Sequence, residues 1–118
     1  MLYIFIFWLD KMEKKLKYGS LLQIYGNLLT QRQRDILTMY YDEDFSLAEI
    51  SENLGISRQA VLDALHNGNT SLETYENVLK IVEKNKEIKL KVELLSDLLK
   101  TKQFDELEKE FNSLRESL

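Results

Sequence analysis

Apolar residues recur along this chain in steps of three and four, interrupted at a few short polar or glycine-bearing points. The pattern is densest from Ser46 to Leu65, SLAEISENLGISRQAVLDAL. Ser46 is suited to cap a helix, and Glu49 three residues on completes a capping box. Leu47, Ile50, Ser51 and Leu54 then share one face. Gly55 is the residue that best tolerates the left-handed conformation ending a helix. Ile56 packs the turn, and Ser57 is a second N-cap. Arg58 to about Leu65 forms the next helix, with Ala60, Val61, Ala64 and Leu65 facing inward. Two short helices joined by a tight turn containing glycine predict a helix-turn-helix. Small Ser51 lets the second helix approach the first, and Val61 and Leu65 fill the angle between them.

The same periodicity organises the rest. Thr30-Gln-Arg-Gln33 is another capping box, opening a helix through Ile36, Leu37, Tyr40 and Tyr41 that ends at Asp42-Glu-Asp44. Phe45 stands where a hydrophobic staple belongs. Upstream, Glu13–Leu29 carries Leu16, Leu21, Leu22, Tyr25, Leu28 and Leu29 on one apolar side, with Gly26 placed for close packing. Downstream, His66-Asn-Gly-Asn-Thr70 predicts a break, with Asn69 or Thr70 capping a helix from about Ser71. That helix has Leu72, Tyr75, Val78, Leu79 and Val82 on one side. The stripe falters at Asn85 to Glu87 and resumes with Ile88, Val92, Leu95 and Leu99, which fits one long helix or two in near line. Thr101 to Gln103 breaks the chain again. Phe104, Leu107, Phe111, Leu114 and Leu118 then follow at heptad spacing, too briefly for an independent coiled coil. Phe104, Leu107, Phe111 and Leu114 are therefore expected to cover the body or a second subunit, as in a homodimer.

Met1–Leu9, MLYIFIFWL, is a nine-residue apolar run. It is too short to span a bilayer, which needs about 20 residues. It also lacks the basic start and small-residue cleavage site of a signal peptide. It either packs on the body, or serves as an association patch, or extends a chain whose own start is Met12. The last reading is preferred, because MEKKLKYGSLLQIYGNLL is a self-contained beginning, polar first and then amphipathic. The expected organisation is an extension over 1–11, a helix-turn-helix domain over 12–70 and a helical association region over 71–118. The fold class is all-α, a three-helix unit followed by long C-terminal helices.

Composition narrows the chemistry. The 118 residues contain no proline and four glycines, which favours long helices. The absence of cysteine excludes disulfides and cysteine-based zinc sites, and fits a reducing cytoplasm. One histidine, His66, does not make a His-based metal site or a Ser-His triad. No glycine-rich phosphate loop, HExxH or GxSxG occurs, so no enzyme activity, cofactor or metal is expected.

Net charge is −4, against a strong electrostatic grip on nucleic acid. Between Thr30 and Gly68 there are three basic and seven acidic side chains. The residues expected at a nucleic-acid surface are Arg32, Arg34, Ser57, Arg58, Gln59, Leu62, Asp63 and His66. Arg58 and the helix start at Ser57 suit one phosphate, and Gln59 suits a base edge. Lys86, Lys89, Lys91, Lys100 and Lys102 lie among acids and read as a solvated face.

The run Leu29 to Val61 resembles region 4 of bacterial sigma factors. The resemblance lies in Leu29-Thr, Gln33-Arg34, Ile36-Leu37, Tyr40-Tyr41, Ser46-Leu-x-Glu-Ile50 and Leu54-Gly-Ile-Ser-Arg58-x-x-Val61. LLTQRQRDILTMYYDEDFSLAEISENLGISRQAV, followed by Leu72-Glu-Thr-Tyr-Glu76, is more closely similar to the YlxM family of small bacterial helix-turn-helix proteins. The similarity covers roughly Met12 to Val82. It implies an all-helical, often dimeric protein whose gene adjoins that of the signal-recognition-particle GTPase, Ffh, and a role affecting the GTPase–RNA complex. The alternatives are a transcription regulator binding promoter DNA and a protein-binding adaptor. Many relatives continue the recognition helix with a basic segment. Here the place reads His66-Asn-Gly-Asn-Thr-Ser71, which lowers the nucleic-acid affinity expected of this surface.

Overall fold

The computed structural model describes residues 1–118 as six α-helices without strands. They are α1 (Leu2–Tyr25), α2 (Gln31–Tyr41), α3 (Leu47–Leu54), α4 (Arg58–Leu79), α5 (Ile81–Lys100) and α6 (Phe104–Ser117). A 3-10 turn, Gly26–Leu28, joins α1 to α2. The all-α expectation is met, and each helix start around the motif forms through the expected cap. Thr30 Oγ1 accepts the Gln33 N–H at 3.2 Å, while Gln33 Oε1 accepts the Thr30 N–H at 3.3 Å. Ser46 and Glu49 exchange the equivalent bonds at 3.1 and 3.2 Å. Ser57 Oγ accepts the Ala60 N–H at 3.0 Å. These bonds satisfy donors that a helix start leaves unpaired.

The turn of the motif is set by Gly55, at φ 66° and ψ 34°. Its left-handed backbone reverses the chain at little cost only for a residue without Cβ. The Ile56 N–H then donates to Ser51 O at 3.2 Å, and Ser51 Oγ donates to Ile56 O at 2.5 Å. Ser51 thus ties the turn as well as leaving room for it.

The chain divides into two compact units, residues 1–80 and 81–118. In the first, α1, α2 and α3 all pack against α4. Tyr25, Ile36, Leu37, Ile50, Val61 and Leu72 are essentially inaccessible, with Leu21, Leu22 and Leu65 buried around them. Burying each such side chain contributes about 1.5–3 kcal/mol.

The expected break at His66–Thr70 is not there. Helix α4 runs through it for 22 residues, and neither Asn69 nor Thr70 caps a new helix. The reason is tertiary. Gly68 is buried against Leu37: a Cβ built on it would lie 2.7 Å from Leu37 Cδ1. Asn69 Oδ1 accepts the Tyr41 hydroxyl proton at 2.8 Å. The Tyr18 hydroxyl donates to Glu73, and that of Tyr25 to Glu76 at 2.6 Å. Close packing and three tyrosine bonds from α1 and α2 outweigh the intrinsic weakness of an Asn-Gly-Asn segment in a helix. The turn comes instead at Lys80, in a left-handed conformation with φ 54°. Across Asn85 to Glu87, where the apolar stripe falters, α5 is continuous.

Further side chains depart from their expected faces. Ala60 is exposed rather than inward. Leu16 and Leu28 are exposed, as are Val78 and Leu79 near the end of α4. Residues 2–9 form the first turns of α1 with every side chain largely exposed, and only Trp8 reaches the body, lining a groove with Met12, Leu16, Tyr41 and Asp44. No helix is long and apolar enough to cross a membrane.

The second unit is a helical hairpin of α5 and α6. Leu95 is its buried residue, with Leu107 and Leu114 half-buried. Phe104 and Phe111 of α6 remain exposed, and so do Leu90, Val92 and Leu99 of α5.

The tyrosine bonds make stability depend on pH at both extremes. The hydrogen bond to Glu73, then burial, pushes the Tyr18 hydroxyl up to about 12. Burial foremost pushes Tyr41 up to about 12. A group whose pKa is raised by folding stabilises fully below its unfolded value of 10.0, and that stability is lost as pH rises toward 12. The Tyr18 bond, then Lys17, holds Glu73 below its ordinary value, so its contribution is lost as pH falls through the folded value. Melts across pH 8 to 12 should therefore show a fall in melting temperature beginning near pH 10. The double variant Tyr18→Phe/Tyr41→Phe should flatten that fall, while costing about 1 kcal/mol per lost bond at neutral pH. An alkaline fall of the same depth in the double variant would place its origin elsewhere.

Candidate nucleic-acid interface

The capped start of α4 and the Gly55 turn present the first half of α4 to solvent. Ser57, Arg58, Gln59, Leu62, Asp63 and His66 are all exposed. Arg58, Leu62 and His66 stand at successive four-residue steps and form one stripe. Gln59 and Asp63 form a parallel stripe, joined by a bond from Gln59 Nε2 to Asp63 Oδ1 at 3.0 Å. That bond engages the amide which would read a base edge. It also sets a carboxylate on the outward face, where a phosphate would be repelled.

Arg32 and Arg34 lie on α2. Arg32 is exposed in its first turn. Arg34 is half-buried, donating from Nη1 to Asn27 Oδ1 and from Nη2 to Gln31 Oε1, both at 2.7 Å. It lines a groove between α1 and α2 with Leu22, Gln23 and Asp42. Leu62 and His66 line a different groove, so the structure does not gather Arg34 with the outward residues of α4.

What it gathers there instead are lysines of α1. Lys11, Lys14 and Lys15 line the groove with Leu62 and His66, over Tyr18, Tyr40 and Tyr41. Counting charge only around the motif misses them, because they lie more than thirty residues upstream of Ser46. Their spacing was the available signal: three, then one, residues apart, they fall on one helical face. Lys15 Nζ is 2.7 Å from Asp44 Oδ1 and 5.2 Å from the Tyr40 ring centroid. Its bond holds the Asp44 carboxyl below the ordinary range. Lys14 pairs with Asp10 at 3.4 Å. Exposed pairs of this kind are weak and exchange readily for other anions. Chemically, the groove offers ammonium donors and aromatic faces beside an exposed helix start, a combination suited to phosphate and stacked bases.

Comparison with known proteins agrees with this architecture. Residues 12–112 match the family UPF0122, described as "Putative helix-turn-helix protein, YlxM / p13 like". A UPF0122 protein of Clostridium acetobutylicum is 39% identical over 113 residues, covering 86% of this chain and 97% of its own. One from Caldanaerobacter subterraneus subsp. tengcongensis is 47% identical over 89 residues, covering 75% and 76% respectively. One from a Thermoanaerobacter species is 49% identical over 73 residues, covering 62% of each. With its capped helix-turn-helix and this breadth of match, the chain belongs to the UPF0122 family of YlxM/p13-like helix-turn-helix proteins.

Proposed function

We propose that this chain is a cytoplasmic accessory protein of the signal recognition particle pathway that binds the RNA of the Ffh GTPase–RNA complex. The observation that carries the binding surface is the exposed Arg58–Leu62–His66 stripe of α4, flanked by Lys11, Lys14 and Lys15 of α1. The pathway is supported by the resemblance to the YlxM family, whose genes adjoin that of Ffh. Affinity is modest: acids outnumber bases around the motif, and Asp63 stands on the contact face. The α5–α6 hairpin, with Phe104 and Phe111 exposed, serves association into a homodimer.

The test is fluorescence anisotropy against signal-recognition-particle RNA and duplex DNA at several salt concentrations. About three phosphate contacts predict a log–log salt slope near −3 on duplex and near −2 on single strands. Arg58→Glu should weaken RNA binding at least tenfold, and Lys11→Glu/Lys14→Glu similarly. The circular dichroism spectrum should be unchanged, since these side chains are exposed. Nanomolar, sequence-selective DNA binding with a steep salt slope would replace this reading with a transcription regulator. Weak affinity for both nucleic acids, insensitive to Arg58→Glu, would leave a protein-binding adaptor. The Gln59–Asp63 bond and the acidic surroundings favour that second reading.

A further inference from the structure

Residues 2–9, Leu-Tyr-Ile-Phe-Ile-Phe-Trp-Leu, form more than two turns of α1 and are apolar in every direction around the helix. All of them are exposed, from 40% at Leu9 to 88% at Tyr3. An exposed apolar patch of this kind marks an interaction site. The segment lies outside the span that matches the family, residues 12–112, and of its side chains only Trp8 meets the folded unit, lining a groove with Tyr41 and Asp44.

The chemistry of the segment identifies its occupant. A groove on another protein, or a second copy, covers one face of a helix and leaves a polar face to water. This segment has no polar face to leave out, so what covers it must surround it. Hydrocarbon does so. At 1.5 Å per residue the eight residues reach about 12 Å, less than the roughly 15 Å of one leaflet's hydrocarbon. The segment can therefore enter one leaflet without spanning the bilayer. Its boundary has the composition of a membrane interface. Trp8 sits at its lower edge, where an amphipathic ring belongs at headgroup depth. Asp10 ends the apolar run, and Lys11, Lys14 and Lys15 follow on one face of the same helix. Lysines next to an inserted segment draw it to anionic headgroups.

We infer that residues 2–9 dock the protein on a membrane surface, inserting into one leaflet, with Lys11 and Lys14 holding anionic lipid headgroups. Its apolar part belongs to no nucleic-acid surface, while Lys11 and Lys14 also border the groove proposed for RNA, so anionic vesicles and RNA are expected to compete for them.

Trp8 is the chain's one tryptophan, so its emission, excited selectively over the six tyrosines, reports on this segment alone. The full chain is titrated with vesicles of phosphatidylcholine, with and without phosphatidylglycerol, following Trp8 emission and flotation. The expected result is a blue shift and co-flotation with phosphatidylglycerol vesicles, and at least tenfold weaker partition onto phosphatidylcholine alone. Phe5→Glu/Phe7→Glu should abolish both signals with an unchanged melting curve, because both rings are exposed. The inference is overturned if emission and flotation do not respond to anionic vesicles, or if both lipids bind equally. It is also overturned if Trp8 is already blue-shifted without lipid in a species of twice the mass, which would make a second copy the occupant.

Discussion

Replacing Gly68 with valine is expected to destabilise the helical unit of residues 1–80 by about 2–3 kcal/mol, the usual cost of forcing atoms into a filled core. For a unit of this size that lowers the melting temperature by about 10–20 °C. Even one added methyl meets Leu37 Cδ1 at 2.7 Å and Cδ2 at 3.0 Å. Leu37 has no room to retreat, being fully buried. On an open helix surface, glycine to alanine would instead add about 1 kcal/mol of stability. The sign of Gly68→Ala therefore reports the packing directly. It should turn favourable in a Leu37→Ala background, which opens the space the methyl needs. Thermal or urea melts of the four variants of this cycle decide the matter. A neutral Gly68→Val would mean that α4 does not approach α2 closely at this point.

Deleting Gln103 to Leu118 is the second change with a large expected effect. Helix α6 packs on α5, where Leu95 is buried and is worth about 1.5–3 kcal/mol, while Leu107 and Leu114, half-buried, contribute only part of that each. Without α6, α5 loses the partner that covers its apolar face, and packing of such a face supplies most of a helix's stability in a protein. Circular dichroism should then lose more helix than the 14 residues of α6. On the proposed association through the exposed Phe104 and Phe111, sedimentation should show a lower mass or aggregation. A loss confined to α6, with sedimentation mass otherwise unchanged, would show that α6 supports neither α5 nor association.

Local signals sufficed wherever the determinant lies within four residues. The capping boxes at Thr30–Gln33 and Ser46–Glu49, the Ser57 cap and the Gly55 turn each depend on near neighbours, and each formed as read. Periodicity placed Ile36, Leu37, Ile50, Val61, Leu65 and Leu72 in the core for the same reason. So the all-α class, the helix-turn-helix and the exposed start of its second helix were legible along the chain.

The rest depended on partners far away in sequence. His66-Asn-Gly-Asn-Thr70 has the composition of a turn, and only the closeness of Leu37, Tyr41 and the α1 tyrosines makes it helix. The left-handed turn falls on Lys80, a residue with no intrinsic preference for it, so nothing local marked the place. The candidate site divides along the same line. Arg58, Gln59, Leu62, Asp63 and His66 share a face because they share a helix, which spacing alone determines. That Lys11, Lys14 and Lys15 border that face, while Arg34 turns to Asn27 and Gln31 in another groove, was decided by how α1 and α2 pack on α4. Hydrogen bonds between neighbours are written in the order of residues, whereas the pairing of distant faces is settled by which buried surfaces fit together.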